Sequence, residues 1–155
     1  HDPRALRRAT GLEAALVDCP AEVVASLDPQ DARCHEVRVA GAAALVVAKM
    51  HKIAERLGNP NRLVDKDAHD VYRLLVGIPT VALVQSFAAL LAHDLSASST
   101  TSALGSLKDL AAVGPHGLVC VMAGRAEEGV GEPDTVAAAT SILASDLLWQ
   151  LGVRD

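Results

Sequence analysis

Half of this 155-residue chain is apolar, yet its aromatic side chains are one Phe, one Tyr and one Trp. A core without rings has to be filled by many small aliphatic contacts, and helices that cross closely on Ala do this well. Ala, Leu and Val supply most of the apolar content, and Ala and Leu are among the strongest helix formers. The length suits one domain with a buried core and is short for two.

Hydrophobic spacing then divides the chain. Before Gly41 the apolar runs are short and partly alternating: Leu12 to Val17, Glu22 to Leu27 and His35 to Val39. Turn residues separate them, at Asp18-Cys19-Pro20 and Asp28-Pro29-Gln30-Asp31. This pattern predicts two or three short β-strands after a helical lead-in at Arg4 to Ala9. So few strands need a partner surface, either the helices that follow or a preceding segment.

From Gly41 the period becomes helical. Val46, Met50, Ile53 and Leu57 form one stripe, and Gly58 and Pro60 punctuate its end. Ala68, Val71 and Leu75 mark a second helix that stops at Gly77, and Val84, Phe87 and Leu91 mark a third from Thr80 to His93. Ser96 to Ser102 reads as a mobile Ser/Thr-rich loop before a helix through Leu104, Leu107, Leu110 and Ala111. A short helix over Leu118 to Ala126 and a long one through Val136, Leu143, Leu147 and Leu151 complete the series, with Pro133 as a first-turn residue. The expected class is α+β, mainly α. Residues 1–40 form a β-rich unit and 41–155 a bundle of five or six helices, in one compact body.

The net charge of −5 argues against a whole-surface grip on nucleic acid. Cys19, Cys34 and Cys120 are odd in number and lack CxxC spacing, so reduced thiols are expected. No apolar run reaches membrane-spanning length and no signal-peptide core is present, which points to a cytoplasmic protein. The chain opens on His1 rather than Met and is expected to be part of a longer protein.

One segment carries chemistry. Lys49, Lys52 and Arg56 recur at helical spacing opposite the Val46 stripe, and Asp67, Asp70 and Arg73 share a face of the next helix. A cationic ridge therefore neighbours an anionic one across a short loop. Exposed salt bridges, worth little each, are one outcome of this arrangement; a phosphate site is the other.

The pattern of Lys49 and Arg56, then Lys66-Asp67 and Asp70-Val71, resembles the signature of the AbiEii-type abortive-infection nucleotidyltransferase toxins, within the polymerase-β-like nucleotidyltransferase superfamily. Val37 to Gly41 fits as the strand that leads into the first helix. The likeness covers about a quarter of the chain. Lys52 departs from it, standing where the family usually has a small residue, and so does the longer loop from Gly58 to Asp65.

The resemblance implies that residues 1–40 are a remnant of a nucleotidyltransferase-like sheet and the rest is the carboxy-terminal helical part. It implies Lys49, Arg56 and Lys66 as phosphate- or nucleotide-binding residues and Asp67 and Asp70 as catalytic candidates; the cationic ridge adds Lys52 to the phosphate-binding set. Glu13 is a third candidate carboxylate. The superfamily's Gly-Ser turn followed by Asp-x-Asp is missing. Gly105-Ser106 is followed only by Lys108-Asp109, and Asp65-Lys66-Asp67 has neither Gly-Ser nor a strand before it. No metal ligand or cofactor is therefore assigned to this chain. Mg²⁺ and a nucleoside triphosphate are implied for the intact protein, and the chain alone is expected to be inactive. An antitoxin, an amino-terminal nucleotidyltransferase half and a second copy are the partners considered.

Two rival classes remain. His51, His69-Asp70 and Asp109 offer ligand types suited to an HD-type metal phosphohydrolase, although His51 lies between Lys49 and Lys52, whose charge resists a cation. A non-catalytic helical protein-binding module is the other. Trp149 reads as a packing anchor, Cys120 as core, and the glycine-rich stretch from Gly124 to Gly131 as a poor phosphate cradle.

Overall fold

The computed structural model describes residues 9–153 and gives seven α-helices and one β-hairpin. The order is α1 (Ala14–Val17), β1 (Ala21–Ala25), β2 (Cys34–Arg38), α2 (Ala42–Arg56), a 3-10 turn (Pro60–Arg62), α3 (Asp65–Gly77), α4 (Thr80–Ala92), α5 (Ala97–Leu110), α6 (Leu118–Arg125) and α7 (Pro133–Gln150). The class is α+β, mainly α, with strands confined to the amino-terminal side. All but Ala9 of the expected lead-in at Arg4 to Ala9 lies outside the described residues. No single described helix is long and apolar enough to cross a membrane.

The centre of the bundle is α2. It packs against α1, α3, α4 and α5, while α3 in turn meets α6 and α7. Val46, Val47, Met50 and Ile53 of α2 are buried with Ala68, Val71 and Leu75 of α3, Phe87 of α4, and Leu104 and Leu107 of α5. Ala43, Ala44, Ala68, Ala103, Ala123 and Ala144 are buried too, so small residues let these helices approach in place of rings. Leu57 ends the α2 stripe but lies exposed, one residue past the last helical position.

Three expectations need correction. Leu12 to Val17 is no strand: Ala14 to Val17 is a helical turn, closed by Leu16 N–H to Glu13 and Asp18 N–H to Ala14 carbonyls. Ala14 is fully buried against the helices, and packing against α2 wins over weak local alternation. The Ser/Thr-rich stretch is no mobile loop, because α5 begins at Ala97. Three of its hydroxyls turn back onto nearby carbonyls, Ser96 Oγ to Leu90, Ser99 Oγ to Ser96 and Thr101 Oγ1 to Ala97, so the helix tolerates them. Trp149 is no packing anchor either. It is 67 % exposed because the register of α7 turns Ala144, Leu147 and Leu148 inward.

The hairpin stands apart. β1 and β2 pair antiparallel with Val23 opposite Glu36, and all ten strand residues are exposed. The helices therefore do not supply the cover that so small a sheet was expected to need. Its attachment to the bundle runs through Asp18. The Asp18 carboxylate accepts the Ala44 amide at 3.0 Å, and its carbonyl accepts the Gly41 amide at 2.8 Å. Gly41 caps α2 without a side chain, so Asp18 supplies the missing cap from 26 residues upstream. Any side chain at position 41 would collide with that carboxylate.

The three thiols sit in different surroundings. Cys34 is exposed, Cys19 half-buried and Cys120 buried, and burial pushes the Cys120 thiol up to about 11. Brief alkylation at mildly alkaline pH, read by mass spectrometry, should modify Cys34 first and leave Cys120 unmodified until the protein is denatured. Equal rates at Cys34 and Cys120 in the folded protein would contradict this packing.

Candidate functional site

The α2 and α3 ridges meet. Asp67 lies in the first turn of α3, where a carboxylate complements the helix dipole, and is only 3 % exposed. Its Oδ1 accepts Lys49 Nζ at 2.9 Å and Lys52 Nζ at 2.7 Å, and its Oδ2 accepts Arg56 Nη1 at 3.3 Å. One turn on, Asp70 accepts Lys49 Nζ at 2.7 Å and Lys66 Nζ at 2.9 Å. Lys49 thus bridges both carboxylates, and Arg56 also donates to the Arg62 carbonyl at 3.1 Å, which ties in the 3-10 turn. Lys49, Lys52, Arg56, Asp67 and Asp70, singled out by spacing, and Lys66, implied by the resemblance, form one network.

Burial alone would raise the Asp67 carboxyl, but the hydrogen bonds and charges of Lys52 and Lys49 outweigh it and hold the group below its ordinary value. Asp70 is lowered in the same way against a smaller desolvation, by Lys49 and Lys66. For Lys49, desolvation acts downward and is outweighed by Asp70 and Asp67, so its ammonium is held above its ordinary value. All three groups are therefore charged at neutral pH.

Four cations meet two carboxylates, which leaves positive charge in excess. A cavity of about 320 Å³ opens beside it, lined by Thr10, Leu12, Lys49, Lys52, Glu55 and Arg56. Glu55 brings one negative charge to that wall and reduces the local excess to about one. On another side of Lys49 a second cavity of about 390 Å³ is bordered by Leu45, Asp70, Arg73 and Leu74. Arg73, which shares the anionic face by spacing, is exposed there and takes no part in the network.

The same contacts test whether this site suits Mg²⁺. Both oxygens of Asp67 and of Asp70 already accept hydrogen bonds from ammonium or guanidinium groups. A divalent cation would have to displace those groups and sit among their charges, so these residues do not fit one. Glu13 lies on the turn into α1, where its carboxylate accepts the Gly11 amide at 2.8 Å.

The residues of the HD-type alternative do not assemble. His51 donates to the Ser99 carbonyl at 2.8 Å, and His69 donates to Glu127 at 2.5 Å. Asp109 borders a groove beside Trp149. No group of three or more His, Cys, Asp or Glu able to hold a metal occurs among the described residues.

Some participants carry no sequence signal. Arg125 of α6 pairs bidentately with Asp65 of α3, and His69 with Glu127, across about 60 residues of chain. Together they clamp the outer side of α3, and no local spacing announces them. Asp18 had one signal: a helix start at Gly41 without a capping side chain. The chain matches no protein-family model, no curated protein and no solved structure.

Removing Asp67 leaves three cations clustered at a helix interface. Asp67→Ala should cost about 3 kcal/mol of stability. Lys66 is 75 % exposed, and Lys66→Ala should cost below about 1 kcal/mol. Denaturant melts of the two variants decide whether Asp67 is the keystone. The pH dependence has a defined sign. Asp67 and Asp70 titrate lower folded than unfolded, so their contribution is present above about pH 4 and is lost as pH falls through their folded values, below 3.8. The Lys49 contribution is present below 10.5 and is lost as pH rises through its higher folded value. Asp67→Asn should flatten the acid limb of a melting-temperature profile; an unchanged limb would place the acid-sensitive group elsewhere.

Proposed function

We propose that this chain is the carboxy-terminal part of a nucleotidyltransferase-like protein and that the α2 cation ridge holds a phosphate of the nucleotide. The observation that carries this reading is the uncompensated positive charge beside an open cavity, on the residues that resemble the toxin family's signature. A ladder built only for stability needs one cation per carboxylate; here four converge on two.

Each residue has a distinct part in this reading. Asp67 holds Lys49, Lys52 and Arg56 side by side against their mutual repulsion, and Asp70 steadies Lys49. Asp67 and Asp70 then position cations, and neither takes the role of a base or a metal ligand. Lys52 makes one of these carboxylate contacts and is 41 % exposed, so it can swing to an incoming phosphate at least cost. Arg56 lines the same cavity with its Nη1 engaged by Asp67 and the Arg62 carbonyl, which holds the plane of its guanidinium and leaves its other donors for a phosphate. The Mg²⁺, the Asp-x-Asp carboxylates and the remaining contacts to the nucleoside triphosphate belong to the rest of the intact protein, and a cytoplasmic location goes with this reading. A non-catalytic protein-binding module has one observation of its own in favour, the hairpin exposed on both faces.

Titration of the chain with ATP, followed by amide chemical shifts, should move signals around Lys52 and Arg56. Lys52→Ala should weaken that binding about tenfold, since a charge-assisted hydrogen bond is worth roughly 1.5–3 kcal/mol, and should leave the melting temperature nearly unchanged. The chain by itself should not incorporate labelled nucleotide into RNA or protein. Unaltered ATP binding by Lys52→Ala would make the ridge structural and end the phosphate reading.

A further inference from the structure

The exposed hairpin has a specific edge. Ser26 N–H bonds the Arg33 carbonyl and Val39 N–H bonds the Pro20 carbonyl, so residues 33, 35, 37 and 39 turn their backbone groups toward β1. By the alternation of an antiparallel ladder, Cys34, Glu36 and Arg38 turn theirs outward. Among the described residues nothing pairs with those outward groups, and the sheet ends at β2. The edge carries no proline, bulge or lysine of the kind that blocks strand addition.

We infer that β2 pairs with β2 of a second copy, antiparallel about a two-fold axis at Val37, to form a continuous four-stranded sheet. The register follows from charge. Outward-facing residues must meet one another across the new ladder. Centring the pair on Glu36 sets Glu36 against Glu36, and centring it on Arg38 sets Arg38 against Arg38. Centring on His35 sets Glu36 against Cys34 and leaves the charges unmatched. Centring on Val37 sets Glu36 against Arg38 and Arg38 against Glu36, with Val37 on Val37 and His35 on Val39. Both hydrogen-bonded pairs are then ion pairs of opposite sign, and the valines meet at the axis. The contact is isologous and closes on itself, so it ends at a dimer.

The edge of β1 specifies less. Its outward residues are Ala21, Val23 and Ala25, which bring no charge to fix a register. Inside the hairpin Glu36 faces Val23 and Arg38 faces Ala21, so reversing either charge removes no cross-strand ion pair from the single chain. Arg38 loses only an exposed 3.3 Å hydrogen bond to the Cys19 carbonyl. The pairing lies away from the α2–α3 charge network and stands or falls independently of phosphate binding.

Sedimentation velocity across micromolar concentrations tests the inference. The unaltered chain should be a dimer. Glu36→Arg and Arg38→Glu should each raise the dissociation constant about tenfold or more, because each sets two like-charge pairs across the axis. The double variant Glu36→Arg/Arg38→Glu should restore the dimer. A monomeric unaltered chain, a dimer indifferent to both single reversals, or a double variant that stays monomeric would each overturn the inference. Circular dichroism of the variants should show that the helical bundle persists in all of them.

Discussion

A carboxylate removed from water is tolerated only where charge and hydrogen bonds replace its hydration, and Asp67 meets that condition with three cations from a single helix. Its position in the first turn of α3 adds the helix dipole to the same end. This contact fixes how α3 lies along α2, and α2 is the helix that α1, α3, α4 and α5 all pack against. Val46, Met50 and Ile53 can face Val71 and Leu75 only with the two helices in this relative rotation. The apolar core and the charged seam are two sides of one arrangement.

Asp18 plays a comparable part for the amino-terminal segment. Its side chain caps α2 and its carbonyl holds Gly41, so the chain leaving β2 enters the helix in one direction. The turn at Gly11 packs on the ring of His51, which itself donates to the Ser99 carbonyl of α5. Residues 11–18 are thereby built into the helical body, while β1 and β2 are held only at their base. Among the described residues the hairpin thus has both faces and both edges open, which is the state an added strand requires.

Charge excess and burial divide the roles within the seam. Lys49, in contact with both carboxylates, belongs to the architecture. Lys52 and Arg56 line the cavity beside it, and each makes a single contact to Asp67. The carboxylates that organise the cations are occupied in doing so, each oxygen already accepting an ammonium or guanidinium group.

Much was legible from residue spacing alone. The helical periods of α2 to α7 and the paired ridges of Lys49, Lys52 and Arg56 against Asp67 and Asp70 follow from side-chain period, which is a local property. The paucity of aromatic residues likewise dictated close packing on alanine. What tertiary structure decided is what each face meets. Alternation in Leu12 to Val17 was weaker than the gain from burying Ala14. The hydroxyls of Ser96, Ser99 and Thr101 found carbonyl partners that let a helix form. Trp149 turned outward because Leu147 and Leu148 filled the core. Pairs such as Asp65 with Arg125 and Asp18 with Ala44 join positions far apart in the chain, where spacing carries no information. Whether Asp67 is a solvated surface charge or a buried acceptor of three cations is the same question at the centre of the fold. Helical spacing permits both, and only the packing of α3 on α2 removes the water and selects the second.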